Sequence, residues 1–246
     1  MGEVIKNMND LTERQRHILE IVIREHIETA QPISSKFIER EYDLGFSPAT
    51  IRAELYNLIE KGYLYQPHTS AGRVPTDKGY RFFVDILSEG EAKHLERKLA
   101  REIKKMRRQM EDRMRFVREF TRYLAQTSSS LTLSYFPREH LVVKEGWGDV
   151  LRDPEFTDME KVHEFVELVN DFEENIDTLF SRKDSETIHV YIGSESPFSR
   201  SSDFSVLISP CKVMKRKGLL AIMGPKRMPY EKNIKMVESI IKILEE

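Results

Sequence analysis

From Thr12 onward the apolar residues return every third or fourth position, as Ile18, Leu19, Val22, Ile23 and Ile27. That spacing predicts a helix from about Thr12 to Thr29, opened by a capping box between Thr12 and Gln15. Gln31-Pro32 ends it, Ser34 caps a short second helix over 35–42, and residues 42–46 read as a turn. Ser47-Pro48 is a strong start for a third helix, a cap hydroxyl followed by proline at the first helical position. It runs to about Lys61, with Gly62 placed just past its end. At 100° per residue, Ile51, Leu55, Leu58 and Ile59 share one face, and Ala49, Arg52, Ala53 and Tyr56 centre on the other, with Thr50 and Asn57 at its edges. The second face is small and polar and carries one arginine, which suits a helix entering a major groove.

β-favouring residues 63–66 and the stretch Pro67-His-Thr-Ser-Ala-Gly-Arg-Val-Pro75 follow, predicting a hairpin with a hydroxyl-rich tip. His68, Thr69, Ser70 and Gly72 are small or polar enough to approach a phosphate backbone, with Arg73 in or near a minor groove. Thr76-Asp77 then caps a helix containing Tyr80, Phe82, Phe83, Ile86 and Leu87. Three helices in this order followed by a hairpin read as a winged helix-turn-helix over residues 1–87.

The next segment, 88–128, has no proline and one glycine, Gly90. Leu95, Leu99, Ile103, Met106, Met110, Met114, Val117, Phe120 and Leu124 recur about every 3.6 residues, predicting one continuous amphipathic helix to about Gln126. Such a helix would be roughly 55–60 Å long, too long to bury its stripe in a small domain, so a second copy of the chain is the expected recipient. Its Lys104, Lys105, Arg107 and Arg108 read first as a solvated helix face with i,i+4 ion pairs, and alternatively as phosphate contacts.

Residues 129–246 carry strand patterns at 131–136, 141–145, 188–192, 204–208 and 219–223, an acidic helix after Pro154 and a last helix after Pro229. An antiparallel sheet with flanking helices, an α+β domain, is expected.

Charge changes this picture only when counted by segment. The 246 residues hold 39 Lys or Arg and 41 Asp or Glu, a net charge of −2 that by itself argues against a nucleic-acid partner. Residues 1–87 have 11 basic and 13 acidic side chains, 88–130 have 12 and 7, 131–185 have 6 and 14, and 186–246 have 10 and 7. A basic stretch and an acidic one are therefore averaged in the total, and fields depend on position. One cysteine, Cys211, excludes an internal disulfide and a Cys-rich zinc site and points to a reducing, cytoplasmic home. No apolar run approaches ~18 residues and residues 1–10 lack a signal-peptide core, so no membrane partner is expected.

Ser47-Pro-Ala-Thr-Ile-Arg52, Gly62-Tyr-Leu and the unbroken run Gln66-Pro-His-Thr-Ser-Ala-Gly-Arg-Val-Pro-Thr-Asp-Lys-Gly-Tyr-Arg81 resemble the winged-helix domain of the HrcA family of bacterial heat-inducible transcription repressors. The resemblance implies a homodimer on an inverted repeat of double-stranded DNA upstream of chaperone operons, with activity supported by the chaperonin. Residues 48–61 would be the recognition helix and 66–75 the wing. DNA contacts would fall among Ser47, Ala49, Thr50, Arg52, Ala53, Tyr56, Asn57, His68, Thr69, Ser70, Gly72 and Arg73. Where this chain has Ala53 the family usually has Asn, which implies a relaxed or altered operator. Asp153-Pro-Glu-Phe-Thr-Asp158, Ile192-Gly-Ser-Glu195 and Met223-Gly-Pro-Lys-Arg-Met228 resemble the family's GAF-like domain, although the stretch between the long helix and Pro154 is much shorter here and Pro229 replaces a common Asp.

No catalytic, cofactor or metal constellation stands out. The seven histidines are scattered, Cys211 has no His or Cys near it, and Asp171-Phe-Glu-Glu174 reads as a solvated helix face. The chain therefore reads as a repressor rather than an enzyme. The alternative is a divergent regulator of other genes whose C-terminal half is a small-molecule or protein-interaction module.

Overall fold

A computed structural model describes residues 10–87, 93–110, 112–181, 187–198 and 201–245. The chain divides into two units, Met1–Ser88 and Glu89–Glu246, each with its own contacts and core.

In the first unit, α1 (Glu13–Thr29), α2 (Ser35–Glu41) and α3 (Pro48–Glu60) precede a small hairpin of β1 (Leu64–Tyr65) and β2 (Val74–Pro75), and α4 (Asp77–Ile86) closes it. Each helix start is a side-chain cap that satisfies an otherwise orphaned backbone N–H. Thr12 and Gln15 form the reciprocal capping box of α1, and Ser34, Ser47 and Thr76 cap α2, α3 and α4. Gly62 follows the last turn of α3 with φ +75°, the left-handed conformation in which glycine carries no Cβ penalty. Ile18, Leu19, Val22, Ile38, Ile51, Leu55, Leu58, Tyr80 and Phe83 are all buried and form the core.

The second unit opens with a departure from the expected long helix. The segment forms two helices, α5 (Lys93–Gln109) and α6 (Arg113–Ser128), and its first positions, 88–92, lie outside the described residues. Asp112 between them is extended (φ −72°, ψ 117°), and its carboxylate accepts from the Met114 N–H at 2.8 Å. The helix is therefore restarted by an N-cap rather than continued. With two shorter segments, the apolar stripe expected to need a second subunit is buried within the chain's own unit. Leu99 and Ile103 of α5 and Phe116, Val117, Phe120 and Leu124 of α6 share one cluster with sheet residues and the last helix.

The sheet is antiparallel in the order β4-β3-β7-β6-β5, with β3 Leu131–Phe136, β4 Leu141–Glu145, β5 His189–Ile192, β6 Phe204–Val213 and β7 Arg216–Pro225. The register pairs Leu133 with Lys144 and Ala221, and Leu207 with Ile222. One face, with Phe136, Leu207, Leu220 and Ile222, packs on α5, α6 and α10 (Tyr230–Glu245). The other, with Leu131, Leu133, Val206, Ala221 and Met223, packs on α8 (Met159–Glu174) and α9 (Ile176–Ser181). A single turn, α7 (Trp147–Val150), follows β4. Because both faces are covered, all six residues of β3 are buried, Thr132 and Ser134 as well as the apolar residues they alternate with. Of these two hydroxyls, Ser134 Oγ lies 2.8 Å from Thr121 Oγ1, whose hydroxyl also lies 2.7 Å from the Val117 carbonyl, while Thr132 Oγ1 has no hydrogen-bond partner among the described residues. Arg227 joins the turn after β7 to the 150s, reaching Asp153 Oδ1 at 2.6 Å and Glu155 Oε1 at 2.6 Å. The result is the α+β architecture expected, with the acidic run at its solvent edge: Phe172 is buried while Glu173 pairs with Lys144.

Candidate nucleic-acid interface

The candidate site is built on α3. Its inner edge is fixed by Ile51, Leu55 and Leu58, which are buried against the rest of the unit. With those three held, helical geometry turns Ala49, Arg52, Ala53, Tyr56 and Asn57 outward, and all five are exposed, Tyr56 at 60%. Thr50 lies at the margin, and its hydroxyl is within 2.8 Å of Ser47 Oγ, which also accepts the Thr50 N–H as the cap. Among the described residues no hydrogen bond or ion pair engages Arg52 or the Tyr56 hydroxyl. Both are available to an external acceptor.

Glu54 would set a negative charge on the same helix, yet its carboxylate is committed elsewhere. Oε2 accepts from Gln15 Nε2 at 2.9 Å and Asn57 Nδ2 at 3.1 Å, and Arg14 lies 3.6 Å from Oε1. These contacts, the Gln15 hydrogen bond foremost, hold the Glu54 carboxyl below the usual carboxylate range. The cluster also ties Asn57, so of the outer residues read from the sequence it is the one whose amide is already engaged. The exposed side of α3 therefore carries one positive charge, Arg52, and at its last residue the exposed carboxylate of Glu60.

The hairpin that follows is braced at several points. Gln66 Nε2 donates to the carbonyls of Thr69 (2.8 Å) and Ala71 (3.0 Å), and the Ala71 N–H closes a turn on the His68 carbonyl at 2.8 Å. His68, Thr69 and Ser70 form the exposed tip, with His68 Nδ1 3.1 Å from Ser70 Oγ. Arg73 lies on the returning arm rather than at the tip. Its backbone pairs reciprocally with Ile33, at 2.7 and 2.9 Å, and its Nη1 reaches the Ala71 carbonyl at 3.4 Å. Gly72 sits where the arm crosses the α1–α2 turn. A Cβ there would lie 2.5 Å from the Pro32 carbonyl and the Ile33 backbone, so only glycine fits without a shift. Gly72 and Arg73, expected at the DNA contact, have an architectural role in the structure, shared with Gln66 and Ile33, which the sequence pattern does not single out. The clue was present in Gly72 itself, since a glycine beside a wing arginine marks a close backbone approach.

The arrangement offers a rigid helix face, backed by an apolar core, beside a hydroxyl-rich loop of fixed shape. Helix faces of this kind read base edges, while hydroxyls, backbone N–H groups and arginine hold phosphates. Among the described residues no group of three or more His, Cys, Asp or Glu is placed to hold a metal ion, and no helix is long and apolar enough to cross a membrane.

Comparison with known proteins places these features in a lineage. A family model described as HrcA protein C terminal domain matches residues 78–234, and one described as LexA DNA binding domain matches residues 8–72. A heat-inducible transcription repressor HrcA of Chlorobium phaeobacteroides is 53% identical over 79 residues, a match spanning 32% of this chain and 22% of that protein. The repressor of the same name from Clostridium acetobutylicum is 26% identical over 332 aligned positions, covering 94% of this chain and 96% of its own length. Because this chain has 246 residues, at least 86 of those 332 positions have no counterpart in it. A solved structure described as that of a hypothetical protein superposes with a TM-score of 0.72 at 20% identity, covering 96% of this chain and 97% of its own, which extends the shared fold over both units.

Proposed function

The chain belongs to the HrcA family of heat-inducible transcription repressors, and we propose that it acts as a dimer on an inverted repeat of duplex DNA, with α3 in the major groove of each half-site and the wing on the adjacent backbone. The observation that carries this reading is the exposed face of α3. Arg52 and Tyr56 are free to meet base edges or phosphates there, while the carboxylate of Glu54 is tied to Gln15, Asn57 and Arg14. Ala49 and Ala53 leave room for the helix to seat deeply, and a methyl group can also contact a thymine methyl. Ala53, in place of the Asn usual in the family, removes one adenine-reading amide, so the preferred half-site departs from that of relatives at about one base pair.

Selection of bound sequences from a random duplex pool tests this directly, since it returns both half-site sequence and spacing. The expected outcome is an inverted repeat. In the same assay Arg52→Ala lowers affinity for the selected site by about 1–3 kcal/mol more than for arbitrary duplex. An unchanged specificity ratio removes Arg52 from base reading, and enrichment of no motif overturns the proposal.

A further inference from the structure

Seven basic side chains of α5 are exposed with no partner among the described residues; Arg107 lies apart, and the other six share one face. Arg97, Lys98, Arg101, Lys104, Lys105 and Arg108 are all exposed, and among the described residues none of them is engaged in an ion pair or a side-chain hydrogen bond. Helical geometry at 100° per residue gathers the six within an arc of about 120°, opposite the stripe of Leu95, Leu99, Ile103 and Met106 that packs into the unit's core. From Arg97 to Arg108 the basic stripe extends about 16–17 Å, roughly one positive charge per 3.3 Å of helix axis.

A face that merely keeps a helix soluble is built differently. Opposite charges alternate at i,i+4 on such a face and support the helix, whereas Arg97–Arg101, Arg101–Lys105 and Lys104–Arg108 are like-charge neighbours at that spacing and oppose it. The only described carboxylates on α5, Glu96 and Glu102, lie off the stripe. Protein docking faces, in turn, are anchored by apolar or aromatic centres. This face has none.

We propose that the exposed side of α5 is a second, sequence-independent contact for duplex DNA, which follows a phosphate strand whose charges repeat every 3.4 Å along the axis. This rests on the DNA-binding reading of the first unit and adds a surface in the second. The covalent chain supports the assignment: α4 of the first unit and α5 of the second are consecutive helices of one chain. Duplex held by the first unit is thereby present near α5 at high effective concentration. The other candidate occupant, the acidic stretch around α8 of a second copy, becomes an outcome of the test.

The experiment uses the full chain with four of these cations made neutral, Arg97→Gln, Arg101→Gln, Lys104→Gln and Arg108→Gln, substitutions that preserve helix propensity. Binding to the selected inverted repeat and to an arbitrary 40-base-pair duplex is measured from 50 to 300 mM salt, with circular dichroism and sedimentation recorded on the same samples. The expected result is a logarithmic salt slope shallower by about 3.6, at roughly 0.9 for each of four phosphates no longer neutralised, and an equal fold-loss of affinity on both duplexes. An unchanged slope in a folded protein overturns the proposal. So does a fall in oligomeric state with the slope unchanged, which assigns the stripe to a second copy. A parallel variant, Ala49→Glu with Ala53→Glu, separates the two readings: it abolishes preference for the inverted repeat if α3 reads bases, whatever α5 does. If that variant binds like the parent while the α5 variant loses its slope, the α3 reading fails and the basic stripe stands.

Discussion

Glu54 sits on the helix assigned to the groove, where a free carboxylate would repel phosphate. Its neutralising contacts carry a measurable pH signature. Because its folded pKa is depressed, the ionised form contributes stability that is fully present above the ordinary carboxylate pKa of 4.5 and is lost as pH falls through the lower folded value. Glu54→Gln is therefore expected to cost about 1–2 kcal/mol at pH 7 and to flatten the acid limb of the unfolding curve, with parent and variant converging at low pH. Urea titrations between pH 2.5 and 7 check this, and a constant difference across that range would contradict it. Gly72 is a second residue whose role is steric. Gly72→Ala forces a Cβ against the Pro32 carbonyl, and a loss of about 1–3 kcal/mol is expected from the displacement of the wing arm. Thermal unfolding should register this loss, and arbitrary-sequence DNA affinity should fall with it if the wing holds a phosphate.

At the scale of elements, the caps carry the fold's punctuation. Asp112→Ala removes the carboxylate that starts α6 and should lower stability by about 1 kcal/mol, read as a shifted urea midpoint with an unchanged slope. The first unit was legible because its signals are local: Thr12 with Gln15, Ser47 with Pro48, and Thr76 each announce a helix within four residues. The exposed face of α3 followed from the same 3.6 period. The break between α5 and α6 was hidden because the apolar period runs through it unbroken, and an aspartate among charged neighbours looks like any solvated position. Burial shows where the period misled. Met114, counted into the stripe, is 50% exposed, whereas Phe116, left out of it, is fully buried and stacks on Phe120 at 6.0 Å. The bracing of the wing was hidden for a different reason: Ile33 and Arg73 are 40 positions apart, and nothing in either residue specifies the pairing.

At the scale of the whole chain, the second unit closes a five-stranded sheet between two helical layers, although at least 86 positions aligned in a longer relative are absent. A sheet covered on both faces has its own complete core, and so does the helical unit before it. The two should therefore lose structure in separate steps. Phe165 touches Trp147, Phe156 and Phe204 with ring centroids 5.0–5.9 Å away, so Phe165→Ala opens a cavity in the second unit and should cost about 3–5 kcal/mol there. Ile18→Ala does the same in the first, at about 2–5 kcal/mol. Calorimetry of the two variants should show each lowering one transition and leaving the other in place. Only Ile18→Ala should also weaken binding to the selected inverted repeat at temperatures where its own unit begins to melt. If both substitutions instead move one shared transition by the same amount, the two cores are a single cooperative body, and the DNA-reading unit is coupled to the sheet through more than its covalent connection.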